Sequence, residues 1–390
     1  MPKGFAPQKE WTGAGSNYGF WQKGTAGAWL TLRLLVVNPG STSTKVAAFE
    51  DDCRLWQQNI SHPEEELSEI GDILEEADYR YRAVLKALEE RQEDVRRFDA
   101  VVARGGLLKP LPGGVYAVGE EMYHDLSTCR YGRHASNTGG IIAYRLHREA
   151  GIPALVVDPV SVDEFTELAR YSGLSGIERK SQLHALNMKA AARKVASLMG
   201  RSPHEVNLVI AHLGSGISVA PYQEGRLVDV NNANNEGPFS LERCGTLPSL
   251  DLIDLCYSGR YTREEMTSLV TRRGGIYSYL GTKDFRKVEE MIANGNREAL
   301  QVVLAMCYQV AKEIGAMATV LCGRVDGIVL TGGLACSRLV VDSITSRVSF
   351  IAPVTVIPGE EEMEALATGA LAALRGEEEI KNYATTGVRA

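Results

Sequence analysis

The chain has 390 residues, of which 44% are hydrophobic and 23% are charged, and its 42 basic and 49 acidic residues give a formal net charge of -7. This length predicts two or three globular domains, and the acidic balance excludes a nucleic-acid footprint spread over the whole chain. No uninterrupted apolar run reaches the ~18–20 residues of a membrane span, so we expect no membrane partner. The seven cysteines lack the close spacing of zinc or redox sites, which favours reduced thiols and a cytoplasmic protein.

Residues 1–31 are rich in glycine, lysine and aromatic residues and show neither a strand nor a helix period. They also lack the apolar core, of about 7–15 residues, that a signal peptide requires. We therefore expect a disordered leader that contributes nothing to the core. The alternative is an arm that packs its tryptophans on a partner subunit. Regular structure is expected from Leu32 onward.

The pattern over residues 32–160 predicts an α/β domain that opens with a hairpin. Its turn is expected over residues 38–44, where every side chain but that of Pro39 is small or polar. Short apolar runs predict strands at 34–37, 45–50, 100–103 and 154–158. Helical spacing of apolar residues predicts one or two surface helices within 63–97 and another helix at 139–149.

The second half of the chain repeats this design. Strands are predicted at 207–213, 217–220 and 327–330, and helices at 181–199, 297–323 and 361–374. A tight turn, Gly214-Ser215-Gly216, separates the first two of these strands. The repetition predicts a duplicated α/β fold with a cleft between its halves. We place the domains at 32–160 and 161–364, with a closing helix at 365–380 that packs back on the first domain.

Three turns at strand ends carry the chemical signal. They contain Gly40, Gly214 and Gly332, and glycine allows backbone N–H groups to approach a ligand closely. Successive N–H groups in such a turn form an anion site, so phosphate is the expected ligand. The Walker pattern and the G-x-G-x-x-G pattern are both absent. Each turn taken alone could equally be a plain hairpin turn.

Seven segments, in order along the chain, resemble those of the acetokinase family of acyl kinases, within the superfamily of sugar kinases, Hsp70 and actin. They are VVNPGSTSTKVA, ARGGLLKPLPGGVY, HASNTGGIIA, ERKSQLHALNMKAA, AHLGSGISVA, GPFSLERCGTLP and LTGGLA. The resemblance covers residues 32–375. It implies duplicated ribonuclease H-like (actin-like ATPase) domains with an interdomain cleft, ATP or ADP and Mg²⁺ as cofactors, and a homo-oligomer. The implied reaction is reversible phosphoryl transfer from ATP to a short-chain carboxylate, giving an acyl phosphate and ADP.

The resemblance also implies roles for individual residues. Arg104 would bind the carboxylate, and His212 would contact the transferred phosphoryl group. The implied catalytic residues are Arg104, His134, Asp158, Lys180, His184, His212 and Arg243. The implied nucleotide-binding turns comprise Asn38, Ser41, Ser43, Lys45, Gly214, Ser215, Gly216, Gly332 and Gly333. Mg²⁺ would be held by Asp158 and, through water, by Glu361 or Glu362.

The implied reaction explains why cationic residues dominate this set. A carboxylate is ionised at neutral pH, because its pKa is about 4.3, and needs no general base. An anion must instead attack an anion, so positioning and charge cancellation carry the catalysis. The planar guanidinium of arginine suits both tasks.

Two departures from the acetate-kinase pattern bear on the substrate. Lys180 stands where acetate kinases carry a histidine in F-H-G-T-S-H, of which only His184 is kept, and Leu247 stands where G-T-R-S-G has its arginine. Arg243 is the candidate replacement for that arginine. These departures favour butyrate or isobutyrate over acetate, with acetate or propionate as the alternative. Further alternatives are a non-enzymatic actin-like binding protein and a sugar kinase, which would need an aspartate base.

Overall fold

A computed structural model describes residues 31–387, and the predicted leader, apart from Thr31, lies outside the described residues. The described chain divides into two compact units. Unit 1 comprises residues 31–107, 114–157 and 366–386, and unit 2 comprises 108–113, 158–365 and 387. The domain bounds predicted from the sequence, 32–160 and 161–364, stay a prediction. The boundary between the two compact units falls after Val157, and residues 108–113 belong to unit 2.

Unit 1 is built on a mixed sheet of seven strands. The strands are β1 (Arg33–Pro39), β2 (Ser43–Glu50), β3 (Cys53–Ser61), β4 (Ala100–Arg104), β5 (Val115–Ala117), β6 (Ala154–Val157) and β12 (Ile380–Asn382). The helices are α1 (Glu64–Glu69), α2 (Ile73–Glu89), α3 (Glu120–Ser127) and α4 (Asn137–Ala150). The strand order is β12-β5-β6-β4-β1-β2-β3. The central strands are apolar at Leu34–Val37, Ala100–Ala103 and Ala154–Val157, because both of their faces are buried there, as in other parallel sheets.

The hairpin at the start of unit 1 has a shorter turn than the sequence predicts. Asn38 and Pro39 continue β1, where they pair with Lys45 and Thr44 of β2. The turn is therefore confined to residues 40–42, and the prediction of a turn over 38–44 is wrong at both ends. Polar side chains can occupy the end of a strand because its backbone groups are satisfied by the ladder.

Unit 2 is built on a mixed sheet of five strands, in the order β11-β10-β7-β8-β9. The strands are β7 (Asn207–Leu213), β8 (Ile217–Gln223), β9 (Arg226–Leu227), β10 (Gly327–Gly332) and β11 (Val354–Pro358). The helices are α5 (Glu167–Arg170), α6 (Ala185–Leu198), α7 (Ser249–Tyr257), α8 (Arg263–Thr271), α9 (Gly275–Leu280), α10 (Phe285–Ala293), α11 (Arg297–Val320) and α12 (Arg338–Val348). The last helix, α13 (Glu362–Leu374), begins in unit 2 and ends in unit 1.

The sheet of unit 2 has a hydrophobic core on each face. Along β7, Val209, Ala211 and Leu213 belong to one cluster of buried residues, while Leu208 and Ile210 belong to another. This alternation follows from the two-residue period of a strand. The buried residues of the 24-residue helix α11 belong to the first cluster. The second cluster contains six residues of α6: Ala185, Met188, Ala191, Ala192, Val195 and Ala196. Helices therefore cover both faces, as the alternation of strands and helices predicts.

The two sheets share one strand topology. In unit 1 the order β6-β4-β1-β2-β3 has two parallel pairs followed by two antiparallel pairs. In unit 2 the order β11-β10-β7-β8-β9 has the same sequence of directions. The prediction of a duplicated α/β fold, in which each half opens with a hairpin, is confirmed.

Two predicted helices have different bounds in the structure. The helix predicted at 181–199 begins only at Ala185, so His184 precedes its first turn. The closing helix ends at Leu374 rather than at residue 380, because residues 380–382 form β12 and pair in parallel with β5. All seven cysteines are free thiols. No helix between residues 31 and 387 is long and apolar enough to cross a membrane.

Candidate active site

The first predicted phosphate turn lies at the tip of the β1–β2 hairpin. Asn38 is buried and pairs across the ladder with Lys45, so the two side chains share one face of the sheet. Ser43 lies two residues before Lys45 on β2 and therefore faces the same side. At the tip, the Gly40 N–H donates to the Ser43 carbonyl at 2.7 Å, and Ser41 is exposed. An amide, a hydroxyl and an ammonium of the predicted set therefore lie on one face.

Arg104 and His134 lie on segments of unit 1 that are tied together. Arg104 ends β4, and three residues later the Leu107 N–H donates to Asn137 Oδ1, at the start of α4, at 2.8 Å. The Ser136 N–H donates to Nδ1 of the exposed His134 at 3.1 Å, and the Ser136 hydroxyl lies 2.7 Å from the same nitrogen. Nδ1 is therefore an acceptor, and the neutral imidazole carries its proton on Nε2. His134 can donate that proton in a hydrogen bond to an anion.

Two histidines of unit 2 form a stacked pair. The rings of His184 and His212 lie 3.9 Å apart, centroid to centroid, with 12° between their planes. His184 Nδ1 lies 3.0 Å from the Ser218 hydroxyl, and His212 Nδ1 lies 2.9 Å from Asn187 Oδ1. Because an amide oxygen only accepts, His212 Nδ1 must carry a proton. The Thr331 hydroxyl also donates to Asn187 Oδ1, at 3.2 Å, which fixes the orientation of the amide.

The other nitrogen of His212 faces a carboxylate. His212 is 1% exposed, and its Nε2 lies 3.2 Å from Glu360 Oε1. Glu360 reaches this position because Gly332 and Gly359 exchange two backbone hydrogen bonds, at 3.0 and 3.1 Å. Gly332 has φ +90° and lies against the backbone of Leu213, so only glycine fits there. The third predicted turn, Gly332-Gly333, therefore lies beside the strand that carries His212.

Arg243 lies against the second predicted turn. A Cβ on Gly216 would overlap the Arg243 guanidinium, and a Cβ on Gly214 would meet His212 Nε2 at 3.1 Å. Ser215, between the two glycines, is exposed. Burial lowers the pKa of the Arg243 guanidinium, and the charge of Glu242 partly opposes this shift. Arg243 forms no ion pair with a described residue, and its Nε has no hydrogen-bond partner among them. The Gly214–Gly216 turn therefore has a histidine on one side and a desolvated arginine on the other, an arrangement suited to a bound anion.

Asp158 lies just after β6 in a strained conformation, with φ +39°. Its carboxylate is buried, 3.9 Å from Lys189 Nζ and 3.9 Å from Arg193 Nη2. Lys189 pairs more closely with Glu164, at 2.7 Å. Backbone strain of this kind is concentrated at functional sites. The predicted metal and phosphoryl ligand is thus a negative charge held between two cations.

Residues 170–353 match the model of the Acetokinase family. This segment is similar to that family. It lies within unit 2 and contains both stacked histidines, the Gly214–Gly216 turn, Arg243 and the Gly332-Gly333 turn.

Solved structures of acetate and propionate kinases resemble most of the chain. Acetate kinase from Porphyromonas gingivalis has a TM-score of 0.71 at 18% identity, over 88% of this chain and 99% of its own. A propionate kinase from Francisella tularensis has a TM-score of 0.67 at 16% identity, over 87% of this chain and 98% of its own. Acetate kinase from Entamoeba histolytica has a TM-score of 0.69 at 16% identity, over 86% of this chain and 98% of its own. At these identities the likeness shows the fold, which is the actin-like ATPase fold.

Two of the predicted site residues, Lys180 and Glu361, lie apart from the cluster around His212. Lys180 is exposed, and its carbonyl accepts a hydrogen bond from Asn232 Nδ2 at 3.3 Å. Glu361 is also exposed and lies 3.3 Å from Lys194 Nζ, whereas Glu362 is buried at the start of α13. The structure thus brings His184, His212 and Arg243 to one turn but gives Lys180 and Glu361 surface positions.

Three residues in contact with His212 or with its partner are absent from the predicted site. They are Asn187, Thr331 and Glu360, which contact His212 or hold its partner. Asn187 lies three residues after His184 in a segment predicted to be helical. Residues at this spacing share one face of a helix, so the sequence could have placed Asn187 beside His184. Glu360 directly precedes the two predicted glutamates. Among residues 31–387 no group of three His, Cys, Asp or Glu side chains is placed to hold a metal ion.

Proposed function

We propose that the protein is a butyrate kinase, which transfers a phosphoryl group reversibly between ATP and butyrate or isobutyrate. The observation that carries this proposal is the Gly214–Gly216 turn, flanked by His212 and by the unpaired, desolvated Arg243. An arginine without a carboxylate partner is stabilised when an anion binds, because the anion compensates its lost hydration. The similarity of residues 170–353 to the Acetokinase family supports phosphoryl groups as the anions concerned.

The reaction requires this chain to bind, orient and neutralise two anions. A carboxylate oxygen attacks the terminal phosphorus of ATP as the bond to the ADP oxygen breaks, and no proton is transferred. Arg104 and His134 are the proposed ligands of the acid, since a guanidinium and an imidazole N–H both donate to carboxylate oxygens. His212 and Arg243 would stabilise the charge on the transferred phosphoryl group. Lys180 and His184 stay candidates on the strength of the family resemblance.

The nucleotide and Mg²⁺ fit the residues that are present. Ser215 is the exposed residue of the Gly214–Gly216 turn, and successive backbone N–H groups in a turn of this kind suit a polyphosphate. Mg²⁺ retains several waters and needs only one or two carboxylates, so a cluster of three is not required. Asp158, with Glu361 or Glu362 through water, would hold it. When bound, Mg²⁺ supplies charge neutralisation on the phosphates.

The second candidate function is that of an acetate or propionate kinase. It is favoured by the likeness of the fold to acetate and propionate kinases. Lys180 and Leu247, which replace a histidine and an arginine of the acetate-kinase motifs, favour the longer acid instead. In either case we propose a homo-oligomer, a dimer or a larger assembly, as in the family that the chain resembles.

A panel of acids distinguishes the two candidates. Acetate, propionate, butyrate and isobutyrate are compared at saturating ATP and Mg²⁺, with the acyl phosphate trapped as its hydroxamate. We expect kcat/KM for butyrate or isobutyrate to exceed that for acetate at least about tenfold, because each methylene in a fitted pocket contributes ~1–3 kcal/mol. A tenfold preference for acetate would support the second candidate. No turnover of any acid would refute an acyl kinase altogether.

A further inference from the structure

Arg80, on α2, is fully buried in unit 1 and binds the tip of the β1–β2 hairpin. Its Nη2 donates to the Ser41 carbonyl at 3.1 Å, and its Nη1 donates to the Ser43 carbonyl at 3.0 Å and to the Thr44 hydroxyl at 3.1 Å. Its Nε donates to Glu76 Oε1 at 3.0 Å. One side chain therefore holds three acceptors of the segment that carries the predicted phosphate-binding hydroxyls.

The carbonyls at this tip cannot all be satisfied by the sheet ladder, because the chain reverses there. The Thr42 carbonyl accepts a hydrogen bond from the His62 N–H at 2.8 Å. Arg80 donates to the carbonyls on either side of it, those of Ser41 and Ser43. A guanidinium presents its N–H groups in a rigid plane, so it fixes the relative positions of the carbonyls that it binds. The tip is thereby held in one conformation, although Ser41 itself is exposed.

A second contact locks the Thr44 hydroxyl. Because its oxygen accepts from Arg80, its proton is left to donate to His62 Nε2, at 2.8 Å. This nitrogen can accept only while the imidazole is neutral. Burial and, to a lesser degree, Arg80 lower the pKa of His62 to about 4, while Glu76 and Glu66 oppose the shift. The edge of the Tyr79 ring, 5.2 Å away, completes the surroundings of the imidazole.

Glu76 extends this network toward the predicted substrate histidine. Its Oε1 accepts from Arg80, and its Oε2 lies 3.6 Å from Nη2 of Arg133, the residue before His134. Arg133 also donates to the Gly71 carbonyl at 2.5 Å. One carboxylate is therefore shared by two guanidiniums, which are linked to two different predicted binding segments of unit 1.

We propose that Arg80 is a positioning residue for the phosphate-binding turn and that Glu76, Thr44 and His62 hold it in place. A buried ion pair contributes little net stability compared with an apolar replacement, so a functional role explains its presence better than stability does. With the backbone fixed, Ser41, Ser43 and Lys45 are ordered before the ligand arrives, and less entropy is lost on binding. The identity of the ligand, a nucleotide polyphosphate, rests on the proposed function.

Arg80→Lys tests this proposal, because it keeps the charge and removes the planar fork. Arg33→Lys is the matched control: Arg33 pairs with Glu93 at 2.9 Å at the opposite end of β1, about 20 Å along the strand from the tip. Binding of the ATP analogue AMPPNP with Mg²⁺ is measured by calorimetry. We expect Arg80→Lys to weaken binding about tenfold and Arg33→Lys to change it less than twofold. Equal affinities in the two variants would overturn the proposal.

Thr44→Val serves if Arg80→Lys does not fold, since it removes only the hydroxyl between Arg80 and His62. We expect a twofold to fivefold loss of AMPPNP affinity with an unfolding midpoint close to that of the unaltered protein. Unchanged affinity in this variant would also overturn the proposal. In steady-state assays of Arg80→Lys, the KM for ATP should rise while the KM for the acid stays constant.

The outcomes separate this inference from the proposed function. If the unaltered protein turns over no acid but AMPPNP affinity still depends on Arg80, the acyl-kinase proposal fails and the positioning role stands. If the acids are turned over but Arg80→Lys binds AMPPNP as tightly as the unaltered protein does, only the positioning role fails. An unaltered protein that does not bind AMPPNP contradicts both.

Discussion

At the scale of single residues, Arg243 is the side chain whose surroundings are hardest to explain by stability. Burial lowers its pKa, its Nε has no hydrogen-bond partner among the described residues, and its guanidinium lies against the Gly216 backbone. A desolvated cation without an ion-pair partner costs free energy in the folded state. Arg170 is the contrasting case, since it binds both oxygens of Asp163, at 2.8 and 2.9 Å.

Arg243→Met should therefore separate activity from stability. We expect its unfolding midpoint to be unchanged or higher, because a half-buried charge with no ion-pair partner among the described residues is removed, and its kcat/KM to fall at least about 100-fold, or ~2.7 kcal/mol. Arg170→Met should show the reverse, a lower midpoint with kcat/KM unchanged. Thermal unfolding and the hydroxamate assay provide both readouts. A destabilised Arg243→Met that retains full activity would exclude Arg243 from the site.

At the scale of elements, the turn between β7 and β8 depends on close packing that a side chain would disturb. Gly216 faces the Arg243 guanidinium so closely that an added Cβ would overlap it. Gly315, inside α11, has no atom within 4 Å of the place where a Cβ would stand, apart from the backbone of its own helix. The two glycines thus offer the same substitution in a crowded and in an open environment.

Gly216→Ala should displace Arg243 and lower kcat/KM by about tenfold or more, with a small loss of stability. Gly315→Ala should leave kcat/KM unchanged and raise the free energy of unfolding by up to ~1 kcal/mol, because alanine is the better helix former. The comparison uses steady-state rates together with denaturant unfolding. Equal rates in the two variants would show that the position of Arg243 does not matter for the reaction.

At the scale of the whole molecule, unit 1 is completed by residues from the far end of the chain. Strand β12 pairs with β5 at the edge of the seven-stranded sheet, and the buried Tyr383 hydroxyl donates to Asp125 at 2.8 Å. Asp125 is itself buried, and its other partner, Arg130, lies 3.2 Å away. Residues 380–383 therefore contribute to a unit whose sheet begins at Arg33.

A chain ended after Glu379 should lose β12 and Tyr383 and expose the β5 edge. We expect its unfolding midpoint to fall by more than that of Tyr383→Phe, which removes only the hydroxyl and leaves a buried acceptor less satisfied, at a cost of ~1–3 kcal/mol. Circular dichroism melting of both variants gives the comparison. If the truncated chain has the same unfolding midpoint as the unaltered protein, β12 contributes nothing to the stability of unit 1.

The sequence by itself determined the elements and the order in which they occur. Apolar runs at 34–37, 100–103, 207–213 and 327–330 are all strands in the structure, because both faces of a central strand must be buried whatever its neighbours are. The repeated strand–turn–strand design predicted the shared topology of the two sheets. The motifs also identified His184, His212 and Arg243, which the fold brings together around one turn.

Only the tertiary structure decided which polar residues work together. Arg80 lies 36 residues after Thr44 in the chain and Glu360 lies far from His212, so neither pairing leaves a local pattern. Strand β12 is only three residues long and has too little apolar surface to be predicted, since its pairing depends on β5 being present. A hydrophobic period is imposed by burial and repeats along the chain. A buried polar contact instead joins two particular residues, which come within hydrogen-bonding distance only when the chain has folded.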